Sequence, residues 1–192
     1  MTIPRFYVPG PWTSDRITFP EKASHHAMRV LRMRNGDEAE VFDGEGRTAR
    51  GRTEFSSEGT VLVAESYPEH GRESPLFITL AQAFVSPDKM EWITEKAVEA
   101  GASRIVFFPA ARSVTKLSGD KLTKRLEKLR ATAVSACEQC GRSRIPEIEA
   151  FVSAETMLSG LKADARVILA PSSDPGLASS RSGLKGDFLR KS

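Results

Sequence analysis

Pro68-Glu69-His70-Gly71-Arg72-Glu73-Ser74-Pro75 is the most punctuated stretch of the chain, with two prolines, one glycine and five polar or charged residues. Such a stretch continues neither a helix nor a strand and reads as a linker. The hydrophobic pattern differs on its two sides. Upstream, turn signals recur at short spacing: Asn35-Gly36-Asp37, Asp43-Gly44-Glu45-Gly46 and Ser56-Ser57-Glu58-Gly59. Between them Glu38 to Phe42 and Thr60 to Glu65 have the apolar content of strands, and Arg47 to Phe55 alternates weakly, as an edge strand does. The spacing predicts a small β barrel over residues 1–72, interrupted by one helix from about Glu21 to Met33. That helix carries Ala23, Ala27, Val30 and Leu31 on its inner side and His26, Arg29 and Arg32 at helical spacing on another.

Downstream the periods lengthen. Leu76–Val85 reads as a strand, Asp88–Ala100 as a helix, Arg104–Pro109 as a strand, Asp120–Cys140 as a helix, Ser153–Leu161 as a shorter helix and Arg166–Ala170 as a last strand. Strands separated by long helical stretches imply βαβ units, a parallel sheet and an α/β domain, placed at residues 73–170. Residues 171–192 hold six Ser, three Gly, two Pro and four Lys or Arg, too little apolar content for a further strand and helix, and are expected to be a disordered tail.

Composition narrows the function classes. Hydrophobic residues make up 40% of 192, enough for a core. The longest apolar run, Leu76 to Val85, already contains Thr79 and Gln82 and is half the ~20 residues of a membrane span. The prolines at 4, 9 and 11 interrupt any secretory core, so the protein is expected in the cytoplasm. A net charge of +3 neither requires nor excludes nucleic acid, and the positive surplus lies after residue 72.

Cys137-Glu138-Gln139-Cys140 has the spacing of a zinc or thiol-exchange pair, but the chain has no other cysteine and its three histidines, His25, His26 and His70, lie upstream of the α/β part. The pair also falls at the end of a helix, where the dipole does not favour a thiolate, so packing is the expected role and no metal site is expected. On the same helix Lys121, Lys124, Arg125 and Lys128 gather on one face; they suit phosphates or simply a solvated surface. No dinucleotide fingerprint, phosphate loop or Gly-x-Ser-x-Gly occurs. After Gly141, expected as a left-handed cap, Arg142 and Arg144 join Glu138 and Gln139 in one loop. That cluster suits a phosphate or a base edge, or it stitches helix to strand.

A series of ordered pieces resembles the RsmE family of ribosomal RNA small subunit methyltransferases. They are Pro4-Arg5-Phe6-Tyr7, then His26-x-x-Arg29-Val30-Leu31-Arg32-Met33-Arg34-x-Gly36-Asp37, and Asp43-Gly44. Further on come Lys89-Met90-Glu91 with Lys96 and Glu99-Ala100-Gly101, Arg112-Ser113-Val114, and Ala136-Cys137-Glu138-Gln139-Cys140-Gly141-Arg142-x-Arg144-x-Pro146. The resemblance implies a PUA-like RNA-binding barrel followed by a SPOUT-type α/β knot domain. It implies methylation of N3 of a uridine in 16S rRNA of the small ribosomal subunit with S-adenosylmethionine (SAM), by a homodimer. It points to Arg112, Glu138, Gln139 and Arg142 as catalytic, to Arg5, His26, Arg29, Arg32, Lys89 and Arg144 as RNA-binding, and to Leu169, Ala170 and Pro171 as cofactor-binding.

Two departures stand out. Ala110-Ala111-Arg112-Ser113 replaces the family's Ser-Glu-Arg-Ser, removing a carboxylate beside the arginine. The Gly-Pro-Glu-Gly-Gly and Leu-Arg-x-Glu-Thr-Ala segments have no counterpart, so the domain is expected to lack its C-terminal knot, to have an incomplete SAM site and to bind SAM poorly or not at all. The competing expectation is a non-catalytic RNA-binding protein that retains the PUA-like domain.

Overall fold

The structure, a computed structural model, describes residues 3–69, 73–109 and 118–168. Two compact units are present, Met1–Ala154 and Glu155–Ser192, and the first holds both sheets. The upstream sheet has five strands in the order β1-β3-β4-β5-β2: β1 (Arg5–Tyr7), β2 (Arg16–Thr18), β3 (Glu38–Phe42), β4 (Thr48–Ser56) and β5 (Gly59–Ser66). β1 runs parallel to β3, and the other pairs are antiparallel. Phe6, Val8, Ile17, Ala39, Val41 and Leu62 form its core. Arg47 to Phe55 is therefore not an edge strand: β4 lies between β3 and β5. Its buried positions are Thr48, Ala49, Gly51 and Thr53, and their small side chains weaken the alternation. Gly51 is needed because a Cβ there would meet the Val63 carbonyl oxygen at 1.9 Å.

The helix expected from Glu21 to Met33 divides into α1 (Glu21–His25) and a π turn (His26–Val30). Only Ser24 and Ala27 of these segments are buried, so few apolar contacts hold a regular helix there. Leu31 and Met33 donate their N–H groups back to the carbonyls of His26 and Ala27.

The second sheet is fully parallel, β6-β7-β8, with β6 (Thr79–Ala83), β7 (Arg104–Phe108) and β8 (Glu147–Ala150). α2 (Pro87–Glu99) and α3 (Gly119–Cys140) are the crossovers. Ile105, Val106 and Phe107 are all buried, as a central parallel strand covered on both faces requires. β6 begins later than the apolar run because Leu76, Phe77 and Ile78 are exposed. β8 has only one fully buried residue, Ile148, and no strand was expected there. α3 places Leu129, Ala133, Ala136 and Cys137 in a core shared with Phe42 of β3 and with partly buried Tyr7, so the two sheets share packing within one unit. Gly141 closes α3 with φ 84°, the expected left-handed cap.

In the second unit α4 (Ala154–Gly160) is followed by irregular chain, with Leu161 N–H bonded to the Met157 carbonyl. Residues 166–168 form no strand, contrary to expectation, and the rest of that segment lies outside the described residues. Among the described residues no helix is long and apolar enough to cross a membrane.

Candidate functional site

Because all three strands of the second sheet are parallel, their amino ends share one edge and their carboxyl ends the other. Ligands of parallel α/β sheets bind beyond the carboxyl edge. The loop Arg142 to Pro146 leads into β8 and so lies at the amino edge, where Glu147 N–H donates to the Ser103 carbonyl.

Arg142 is buried there and its guanidinium is engaged within the molecule. Nε and Nη2 donate to one oxygen of Glu73 at 3.0 and 2.9 Å, and Nη1 donates to the carbonyls of Val98 at 3.1 Å and Ala102 at 2.8 Å. The other Glu73 oxygen accepts the N–H groups of Ser143 and Arg144 at 2.8 and 2.9 Å. Burial pushes the Glu73 carboxyl up, but the hydrogen bonds from Arg144, Arg142 and Ser143 outweigh it and hold the group below the usual carboxylate range. This network ties the linker to the ends of α2 and α3.

Arg5 is also committed inward. It donates to Glu40 at 2.6 Å and to the carbonyls of Cys137 and Arg142 at 3.0 and 3.3 Å, and its guanidinium stands 4.9 Å from the Phe42 ring centroid. Glu138 is half-buried against β1 and accepts Tyr7 N–H at 3.0 Å. Burial raises its pKa, with the Tyr7 bond and the charges of His26, Lys22 and Arg5 acting the other way. The turn at Asp43 docks on the same loop. Asp43 accepts from Glu45 and Arg47 N–H, while Gly46 N–H donates to Ser143 and Ile145 N–H to Gly44. Glycine is required at 44, where φ is +85° and a Cβ would sit 2.9 Å from Ile145 Cδ1.

Arg144 is exposed beside that turn, its guanidinium packed over Gly46. His26, Arg29 and Arg32 are exposed on the π turn and just beyond it, His26 edge-on to Phe6 with ring centroids 6.0 Å apart. Arg32 has φ 54°, a left-handed conformation uncommon for a non-glycine residue. Irregular helix of this kind recurs at functional sites, and exposed Met28, Val30 and Leu31 lie among the cations.

Lys89, exposed in the first turn of α2, stands near the carboxyl edge after β6. Arg112, Leu169, Ala170 and Pro171 lie outside the described residues. Among the described residues just past that edge, Phe84, Val85, Pro109, Phe151 and Val152 are apolar and Ser86 and Ser153 polar, and Val152 is exposed. An apolar wall suits an adenine ring, so these residues fit one side of a SAM site.

Gln139 lies apart from the rest of its group. It lines a cleft of about 320 Å³ between α1 and α3 with Lys22, Glu95, Lys128, Thr132 and Ser135. Sequence reasoning missed this cleft, although the lysine face of α3 was one signal for it. The two cysteines stand at different depths, Cys137 buried and Cys140 partly buried. They are not disulfide-linked, burial pushes the Cys137 thiol up to about 12, and its Sγ faces the Arg144 carbonyl at 3.7 Å. Among the described residues no three His, Cys, Asp or Glu side chains are grouped to hold a metal.

A family described as RNA methyltransferase domain matches residues 72–186, more than half of the chain. This chain belongs to that RNA methyltransferase family. A second family, the RNA methyltransferase PUA domain, matches residues 19–65. Within the methyltransferase family, the chain is 33% identical over 140 residues to Ribosomal RNA small subunit methyltransferase E of Bacillus subtilis, covering 72% of this chain and 54% of the relative. It is also 33% identical over 141 residues to the protein of the same name from Mycobacterium tuberculosis, covering 71% and 52%. The chain thus spans about half the length of these curated relatives. Two solved structures of similar fold are SAM complexes. One is Lpg2936 of Legionella pneumophila, with TM-score 0.83 and 29% identity over 90% of this chain and 72% of that one. The other is Ribosomal RNA small subunit methyltransferase E of Neisseria gonorrhoeae, with TM-score 0.79 and 27% identity over 95% and 77%. The α/β sheet with a PUA-like module is the fold of this methyltransferase family.

Proposed function

We propose that this chain transfers a methyl group from SAM to N3 of a uridine in 16S rRNA of the small ribosomal subunit, working in the cytoplasm as a homodimer. The observation that carries the reading is the RNA methyltransferase match over residues 72–186, laid on a parallel three-stranded sheet. SAM, when bound, supplies an electrophilic sulfonium methyl, and Leu169, Ala170 and Pro171 are the residues proposed to hold it.

The chain's own task is to bring uracil N3 into line with that methyl and to favour the deprotonated base. Positioning of this kind supplies much of the acceleration when the donor is already activated. Arg112, between β7 and α3 in sequence, is the proposed stabiliser of the uracil anion. The inward hydrogen bonds of Glu138, Arg142 and Arg5 support positioning roles instead: they fix the end of α3 against β1 and the linker. His26, Arg29 and Arg32 on the PUA-like module, with Lys89 and Arg144, are proposed to meet the RNA backbone, where phosphate contacts set register.

The test is incubation of the chain with unmodified small ribosomal subunits and methyl-deuterated SAM, followed by nucleoside mass spectrometry. Labelled N3-methyluridine is expected. RNA binding without label would favour the non-catalytic RNA-binding reading, and label on another base would overturn the proposed target atom.

A further inference from the structure

The cleft between α1 and α3, also lined by Glu95 of α2, brings cations, hydroxyls and an amide together. Its floor is one stripe of α3, where Lys128, Thr132, Ser135 and Gln139 follow at helical spacing, with exposed Ala131 beside them. Lys22 of α1 forms the opposite wall. The stripe continues toward the start of α3 through exposed Lys124 and Lys121. From Lys121 to Gln139 the helix rises about 27 Å at about 1.5 Å per residue. Its start follows the loop that leaves β7, so this stripe links the carboxyl edge of the parallel sheet to the helix of the PUA-like module.

Three features distinguish this stripe from a solvated face. The cations are spaced by a turn or less at one end and give way to hydroxyls and an amide, which suit phosphate and 2′-hydroxyl oxygens. Between Lys128 and Gln139 the lining side chains of α3, Ala131, Thr132, Ser135 and Ala136, are small, so a backbone can approach the helix closely there. The two carboxylates nearest the cations have partners: Glu91 is bonded to Arg125 at 3.1 Å and stands 3.7 Å from Lys128, and Glu95, which lines the cleft, is bonded to Lys96 at 2.9 Å. Arg125, which the sequence groups with the lysines, is thereby drawn out of the stripe.

We propose that this cleft is a single-stranded RNA track, in which Lys22, Lys121, Lys124 and Lys128 hold consecutive phosphates and Ser135 and Gln139 bond the sugar-phosphate edge. It rests on the reading of the protein as an RNA methyltransferase and specifies where the strand runs between the PUA-like module and the sheet.

The experiment is fluorescence anisotropy of a labelled oligouridine with the full chain, at salt from about 50 to 200 mM. Each lost phosphate contact lowers the slope of log K against log salt by about 0.7 for a single strand. Lys22→Gln with Lys128→Gln is expected to weaken binding and flatten the slope by about 1.4. Ser135→Lys adds a cation to the floor and is expected to steepen it by about 0.7, a gain that misfolding cannot mimic. Arg50→Gln, on β4 outside the cleft and bonded to Glu38 at 2.9 Å, is expected to leave the slope unchanged. Binding that stays intact with unaltered slopes in the cleft variants overturns the track while leaving the methyltransferase reading in place. An equal change in Arg50→Gln also overturns it, because the effect is then one of net charge. Failure of the unaltered chain to bind RNA at any salt overturns both.

Discussion

Replacing Arg142 by methionine keeps the bulk of the side chain and removes its donors. The structure then leaves the carbonyls of Val98 and Ala102 without the bonds at 3.1 and 2.8 Å, and one oxygen of Glu73 without its two guanidinium donors. Breaking a buried charge pair by removing one partner costs about 3–5 kcal/mol, and each orphaned buried acceptor about 1–3 kcal/mol. The two figures overlap because they describe the same atoms. Glu73 is half-buried and regains water, so the lower end applies, about 3 kcal/mol against a total of about 5–15 kcal/mol for a folded domain. At about 2–4 °C per kcal/mol for a chain of this size, Tm falls by about 6–12 °C. Urea unfolding followed by far-ultraviolet circular dichroism reads the loss directly, with exposed Arg29→Met as the reference, expected within about 0.5 kcal/mol. Arg142→Lys is expected to fall between them, since an ammonium lacks the planar fork that serves both Glu73 and the carbonyls. A loss below about 1 kcal/mol for Arg142→Met, or one equal to that of Arg29→Met, would refute the positioning role and return Arg142 to the catalytic candidates.

Three further outcomes follow from the same geometry. The Glu73 carboxyl is held below its usual 4.5, so its contribution is present above that value and is lost as pH falls through the lower folded-state pKa; the stability difference between the protein and Glu73→Gln should therefore shrink on acidification, and a difference constant down to strongly acid pH would contradict this. Gly51→Ala is expected to cost at least about 3 kcal/mol, because the rigid Val63 carbonyl cannot yield to a Cβ at 1.9 Å, and a thermal melt matching that of the parent would show the strand pairing to be wrong. Cys137, buried and with its thiol pushed up to about 12, should resist iodoacetamide at neutral pH in the folded protein and react only after denaturation, as read by mass spectrometry.

The sequence was most legible where apolar side chains are large and regularly spaced. β3 occupies Glu38–Phe42 as expected, and α2, β7 and α3 fall within a residue of their expected limits, because Met90, Val98, Ile105, Phe107 and Leu129 declare a buried face. β4 was misplaced at an edge because its inner positions are small, a requirement set by the carbonyl of the neighbouring strand rather than by solvent. β8 escaped notice because two of its four residues are glutamates, both paired with Arg104, and one isoleucine is too weak a signal.

For the site, chemistry was legible and burial was not. Arg5 and Arg142 look in sequence like the exposed Arg29, yet both turn inward onto carboxylates and carbonyls. Gln139 and Glu138 are neighbours in the chain but face different surroundings, since adjacent helical positions point about 100° apart. Of the cleft only the lysine face of α3 is legible along the chain, because the cleft joins Lys22 to Lys128 across the two sheets' helices.

The most direct measurement of the central claim, that RNA lies along the PUA-like helix and α3 together, is ultraviolet cross-linking of the chain to 16S rRNA with peptide mass spectrometry. Cross-linked peptides carrying His26 to Arg32 together with others from Lys121 to Gln139 are the expected result. Cross-links confined to the charged outer face of β4, around Arg50 and Arg52, would contradict it.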